Sequence, residues 1–334
     1  MKRTLTFPRQ TLVLACALLL ALLAGGCNRG RGRVLEVAYV SALQVNLRDR
    51  VAAAYEKVGV VKNGERVEVL ERDRRFARVR TASGATGWIE QRYLASQAVY
   101  DRLQELTREN QNAPVQGQGT TRNDTNLHVE AGRDAEHLFQ ISTGEKVALL
   151  KRGTAEKPST MTPRAAAKSE QKKETEPVIE DWWLVRDTHG HVGWVLARMI
   201  DVDAPLEIAQ YAEGQRIVAF FVLNEVRDAG KNVPQYLLAL TEPKDGLPFD
   251  FNQVRVFTWN VKHHRYETAY RERVKGDLPI VVGRENFDKE GALPVFVIRV
   301  KDENGNVTER KYKLNTPIVR RVYAPGEQPL KKRH

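Results

Sequence analysis

Three blocks of this sequence recur with fixed internal spacing, and such a duplication restricts the chain to an architecture of repeated small modules. Asn46-Leu47-Arg48 returns as Asn126-Leu127-His128 at an offset of 80. At the same offset Gly64-Glu65-Arg66-Val67-Glu68-Val69-Leu70 returns as Gly144-Glu145-Lys146-Val147-Ala148-Leu149-Leu150. The offset then becomes 106, where Val79-Arg80 matches Val185-Arg186, Gly87-Trp88-Ile89 matches Gly193-Trp194-Val195, and Tyr93-Leu94 matches Met199-Ile200. The 26-residue jump is an insertion within residues 154–180, a stretch rich in Lys, Glu, Ala, Pro, Ser and Thr without an aromatic side chain. It holds too little apolar surface to offset the entropy of ordering, so a disordered loop is expected there.

Each copy carries short runs of alternating hydrophobicity, such as Val67 and Val69 or Val147 and Leu149, separated by turn residues such as Gly84 and Gly190. This pattern predicts strands, not helices. The order N-L-[RH], G-E-x-V-x-[VL]-L, an aromatic strand, G-W-[IV] and an apolar close resembles the bacterial SH3-like domain. The resemblance covers about Val37–Leu94 and about Gly119–Ile200 without the insertion; His128 stands where the family favours Arg. It implies two small, strongly bent β-barrels. A domain of that size buries little surface and is marginal alone, which favours packing of the copies.

The N-terminus predicts export. Lys2, Arg3 and Arg9 precede an apolar run, Thr11–Ala24, that is too short for a membrane span and suits a secretory signal. Ala24-Gly25-Gly26-Cys27 resembles the lipobox of bacterial lipoproteins, with Ala24 in the position where Leu is usual. The resemblance implies cleavage before Cys27, lipid attachment to its thiol and a membrane-anchored lipoprotein on the periplasmic side. The choice between inner and outer membrane stays open. Two plainer readings stand beside it: an ordinary cleaved signal with a free Cys27, or an uncleaved anchor. Acyl chains contribute about 0.8 kcal/mol per buried CH₂, enough for several chains to hold a protein on a membrane.

The expected fold is mainly β: two SH3-like barrels joined by a short helix, followed by a β-rich barrel or sandwich. The boundaries are a signal at 1–26, a tether at 27–36, the first SH3-like domain at 37–94, a helix and linker at 95–118, the second SH3-like domain at 119–203, a β domain at 205–323 and a basic tail at 324–334. Val99, Leu103 and Leu106 recur at helical spacing within Gln97–Gln111, and Ala113–Thr121 has the Gly/Gln content of a linker. In the last third, strands are predicted at Gln215–Leu223 and Tyr236–Thr241. One hairpin joins Gln253–Val261 to Arg265–Arg271, and another joins Val295–Lys301 to Val307–Leu314 across Asn304-Gly305.

Several function classes are excluded or disfavoured by residue usage. The only cysteines are Cys16 and Cys27, so the folded part has no disulfide, thiolate metal site or cysteine nucleophile. No G-x-S-x-G, phosphate-binding glycine loop or H-E-x-x-H occurs. His189-Gly190-His191 and His263-His264 both fall in predicted turns, and solvated turns are the expectation for them. Neither catalysis, a cofactor nor a metal is therefore expected. The net charge of +11 is spread along the chain, which suits an anionic wall polymer or lipid surface and not a nucleic acid. Strand alternation places Phe76 and Trp182 opposite a core face formed by Ala77 and Val79 or Trp183 and Val185. Phe76 and Trp182 are accordingly the candidate lining of a ligand groove, with Tyr39, Tyr55 and Phe139 contributed from loop regions. Aromatic residues beside arginines suit a peptide ligand. The function expected is a non-catalytic envelope protein that binds cell-wall peptide or another envelope protein. The alternatives are an adaptor subunit of a membrane-associated complex that uses its C-terminal domain, and a wall hydrolase.

Overall fold

The computed structural model describes residues 33–158, 177–324 and 326. The signal, Cys27, residues 159–176 of the insertion and most of the basic tail lie outside these described residues. The chain divides into two compact units. Asn46–Val61 and Arg66–Arg92, with the residues up to Ala38, form the first; Tyr39–Val45, Lys62–Glu65 and the chain from Tyr93 onward form the second. No helix among the described residues is long and apolar enough to cross a membrane.

Three seven-stranded antiparallel sheets make up the fold. The first contains β1 (Glu36–Val40), β2 (Gln44–Arg48), β3 (Lys57–Lys62), β4 (Arg66–Asp73), β5 (Phe76–Thr81), β6 (Thr86–Glu90) and β7 (Leu94–Ser96) in the order β3-β2-β6-β5-β4-β1-β7. The second contains β8 (Gly117–Thr121), β9 (Thr125–His128), β10 (His137–Ile141), β11 (Lys146–Glu156), β12 (Ile179–Arg186), β13 (Val192–Leu196) and β14 (Ile200–Val202). Its order, β10-β9-β13-β12-β11-β8-β14, repeats that of the first sheet strand for strand. Even the irregularities recur. The β4–β5 register shifts between Val69 and Glu71, and the β11–β12 register shifts between Leu149 and Lys151, the equivalent positions. A bulge at this point increases the local twist, which a small, strongly bent sheet requires.

Period-2 alternation builds the core of the first unit from Leu47, Val61, Val67, Val69, Ala77, Val79 and Ile89, all at most 1% exposed. Following β7 in the chain, α1 (Gln97–Glu109) starts at Ser96, whose side chain accepts the Val99 N–H, and buries Val99, Leu103 and Leu106. Two expectations change here. The anticipated linker is a strand from Gly117, because Gly119 permits close contact with β14: a Cβ there would lie 2.5 Å from Ile200 Cγ2. The arms of the anticipated loop also remain paired, with Thr154, Ala155 and Glu156 opposite Asp181, Glu180 and Ile179.

The C-terminal third is one seven-stranded meander. Its strands β15 (Arg216–Asp228), β16 (Lys231–Thr241), β17 (Phe251–Asn260), β18 (Arg265–Asn286), β19 (Ala292–Lys301), β20 (Val307–Asn315) and β21 (Ile318–Val322) lie side by side in sequence order. Ile208, Tyr236, Leu238, Leu240, Phe257 and Tyr266 form one apolar cluster on it. This sheet and the second sheet belong to the same unit, joined by buried polar contacts. Gln116, fully buried, accepts the Ile280 N–H at 2.7 Å and donates to the Ile280 carbonyl at 3.3 Å. Arg152 donates to Asp181 at 2.5 Å and to Asp250 at 3.2 Å, and Arg216 reaches the second oxygen of Asp181 at 3.0 Å. Burial alone would depress the Arg152 pKa, but Asp181 and Asp250 outweigh it and hold the guanidinium more firmly charged than usual.

Candidate functional site

Aromatic and cationic groups gather around Arg48 at the end of β2, from the β2–β3 loop, the β4–β5 turn and the start of β5. Arg48 faces Trp88 of β6 as its cross-strand partner. Its guanidinium lies 4.2 Å from the Tyr55 ring centre and 5.2 Å from that of Phe76, and 3.6 Å from Glu90. Arg75 stands 5.5 Å from the Phe76 ring centre. Phe76 is only 5% exposed, whereas Tyr55 is 38% exposed. Phe76 is therefore the floor beneath two guanidinium groups, not an open groove wall, and Tyr55 and Arg48 present the accessible surface. Each cation–π contact contributes about 0.5–1 kcal/mol at such a half-exposed site. The arrangement offers an aromatic face, hydrogen-bond donors and one flanking carboxylate, a surface suited to a polar chain such as a peptide.

The equivalent position in the second sheet is closed. His128 faces Trp194 as Arg48 faces Trp88. Its ring meets the edge of Trp182 at 5.4 Å and the His137 ring at 5.2 Å, and its Nδ1 bonds the Ala135 carbonyl at 2.9 Å. Burial pushes the pKa of both His128 and His137 down, so the cluster is neutral around pH 7. Trp182, expected to line the groove, is 2% exposed. The cause is local: residues 180–185 of β12 are buried on both faces, so strand alternation no longer separates core from surface.

The remaining predicted aromatics have other partners. Tyr39 stacks flat on Tyr100 of α1 at 4.1 Å and donates its hydroxyl to Gln97. Phe139 stacks on His191 at 3.7 Å. Of the five predicted ligand residues, Tyr55 and Phe76 are brought together through a shared partner, Arg48. Sequence reasoning missed Arg48 and Arg75, although the repeated N-L-[RH] motif marks the Arg48 position.

His189-Gly190-His191 is more organised than the solvated turn expected for it. One potential ligand atom from each of Asp187, His189 and His191 falls within 4.8 Å of the others. Two imidazoles and a carboxylate are a donor set that a divalent transition metal accepts. The carboxylate is already satisfied within the turn. One oxygen accepts the N–H groups of His189 and His191 at 2.9 and 2.8 Å, and the other bonds His191 Nδ1 at 2.8 Å.

Residues 43–95 match the bacterial SH3 domain family. No curated protein matches the chain. Among solved structures, an NlpC/P60 family protein from Bacillus cereus is similar at 10% identity, covering 84% of this chain and 95% of its own with a TM-score of 0.23. NlpC2 from Trichomonas vaginalis is 10% identical, covering 86% of this chain and 95% of its own with a TM-score of 0.17. NlpC1 from the same organism is 8% identical, covering 72% of this chain and 89% of its own with a TM-score of 0.17. Superpositions this loose carry no argument about activity. The chain thus contains one bacterial SH3 domain at residues 43–95, within a mainly β protein.

Proposed function

We propose that the protein is a non-catalytic lipoprotein of the bacterial cell envelope that binds cell-wall peptide, or a peptide segment of another envelope protein, through SH3-like domains. The observation that carries this reading is the bacterial SH3 domain at residues 43–95, with the accessible Arg48–Tyr55 pair upon it. The recurrent strand order and bulge support residues 117–202 as a second copy, whose closed aromatic cluster fits a structural role better than a binding one. Acylation at Cys27 would hold the protein to a membrane on the periplasmic side.

The test is retention on purified peptidoglycan. The intact protein is retained, and Arg48→Ala with Tyr55→Ala together reduces retention about tenfold at a temperature where circular dichroism shows the variant fully folded, the loss expected when an aromatic–guanidinium anchor is removed. Equal retention of the variant and the parent protein overturns the assignment of the surface. Clearing of a peptidoglycan zymogram overturns the non-catalytic reading.

A further inference from the structure

The C-terminal sheet carries a row of cationic side chains on β18. Along β18, residues 271–275 alternate exposed and half-buried, so Arg271, Arg273 and Lys275 share one solvent-facing row. Their spacing is that of alternate strand residues, about 6.6 Å. Arg255 of β17 faces Arg271 directly across the ladder, and Gln253 faces Arg273. Like charges placed directly opposite destabilise a sheet unless an anion intervenes. Glu213 partly fills that role, at 2.8 Å from Arg255 and 3.9 Å from Arg271. Arg255 is otherwise fully engaged, with Gln253 and the Tyr211 carbonyl. Among the described residues, Arg273 and Lys275 have no ion-pair partner.

These side chains line a cavity of about 830 Å³ together with Gln215, Glu242 and Asn252. The two amides add a second kind of demand. Gln215 Oε1 and Asn252 Oδ1 are shielded from solvent and accept no hydrogen bond. A polar atom left in that state costs about 1–3 kcal/mol, which a donor supplied by a ligand recovers once the side chain turns toward it.

We propose that this groove binds an extended acidic peptide. Its carboxylates, on alternate residues, would pair with Arg271, Arg273 and Lys275, and its N–H groups would reach the oxygens of Gln215 and Asn252. A peptide fits better than a phosphate polymer for two reasons. It supplies N–H donors for the orphaned amide oxygens, and an extended chain sets its alternate side chains at the same interval as the cationic row. The proposal does not depend on the SH3 reading, because none of these residues belongs to residues 43–95.

The test uses the intact protein and two fluorescent peptides, acetyl-Glu-Ala-Glu-Ala-Glu-amide and its Gln counterpart, with linear polyphosphate as competitor. The Glu peptide binds and the Gln peptide does not. Arg273→Gln with Lys275→Gln weakens binding of the Glu peptide about tenfold or more, as for loss of charge-complementary contacts, at an unchanged thermal midpoint. Arg273→Glu with Lys275→Glu transfers the preference to acetyl-Lys-Ala-Lys-Ala-Lys-amide. Arg48→Ala with Tyr55→Ala leaves all of this unaltered, so failure here and failure of the SH3 reading are distinguishable. Equal binding of the two peptides, or an unaffected double variant, overturns the proposal. Polyphosphate binding more tightly than the Glu peptide makes the row a general polyanion surface and overturns the peptide assignment.

Discussion

Asp181 shows at the scale of one residue why this chain needs charge inside it. Its side chain is 3% exposed and that of Arg152 is 7% exposed. One oxygen accepts from Arg152 and from the Gly246 N–H, and the other accepts from Arg216. Replacing such a group with well-packed apolar residues is often neutral, but removing one member strands its partner. Asp181→Ala should therefore lower stability by about 3–5 kcal/mol, because Arg152 keeps only Asp250 as a close counter-ion. A denaturant midpoint equal to that of the parent protein would refute this account. None of these partners was legible in the sequence, where Asp181 sits at the edge of the polar insertion and Asp250 and Asp245 look like loop residues. Trp182 misled for a related reason. The run Trp182-Trp183-Leu184-Val185 is continuous rather than alternating, the mark of a strand covered on both faces. A strict two-residue alternation assigned half of it to the surface.

At the scale of the element, the repeat was legible because its constraints are local. Gly87 and Gly193 occupy equivalent points in β6 and β13, and each lies against the leucine of the N-L-[RH] motif. A Cβ would lie 2.8 Å from Leu47 Cβ at Gly87, and 2.7 Å from Leu127 Cβ at Gly193. Overpacking of this kind costs about 1–3 kcal/mol, so Gly87→Ala and Gly193→Ala should destabilise the protein by similar amounts. Calorimetric midpoints that move for one variant and not the other would show that the two sheets use the motif differently. The third sheet was less legible because its long strands change partners midway. In β18 the first part pairs with β17 and the part from Lys275 onward pairs with β19, with an irregular register between Asp277 and Val281. Gly276 and Pro279 interrupt the hydrophobic pattern there, and no continuous strand is evident across residues 276–286 from the sequence. Proline at an irregular point in a ladder is where a sheet tolerates it. The ends of β15 and β16 were missed because they carry mostly polar residues, joined by a two-residue turn at Ala229-Gly230 with φ of 45° and 81°.

At the scale of the whole molecule, the residues on either side of the boundary expected near residue 204 fall in one compact unit. Gln116 is fully buried with its amide on Ile280, and Phe220 donates its backbone N–H to the Gln116 carbonyl. Arg152 spans the same junction to Asp250 and the Leu247 and Phe249 carbonyls. The second sheet therefore satisfies buried polar groups with partners from the third, so a linker-like sequence between two sheets does not establish that either folds alone. Deleting residues 205–334 would expose Gln116, Arg152, Asp181 and Trp183 together, and would take Asp250 from Arg152 and both Arg216 and the Gly246 N–H from Asp181. Such a chain should lose amide-exchange protection in β11 and β12, because a strand's protection reflects the free energy of opening the structure around it. Unchanged protection across residues 182–186 would mean that the second sheet is self-sufficient and that its contacts with the meander are incidental. The same dependence bears on binding. A deletion that weakens ligand binding does not by itself locate the ligand on the missing segment, so substitutions at half-buried Arg48 and at exposed Tyr55, Arg273 and Lys275 separate the two proposed surfaces where deletions would confound them.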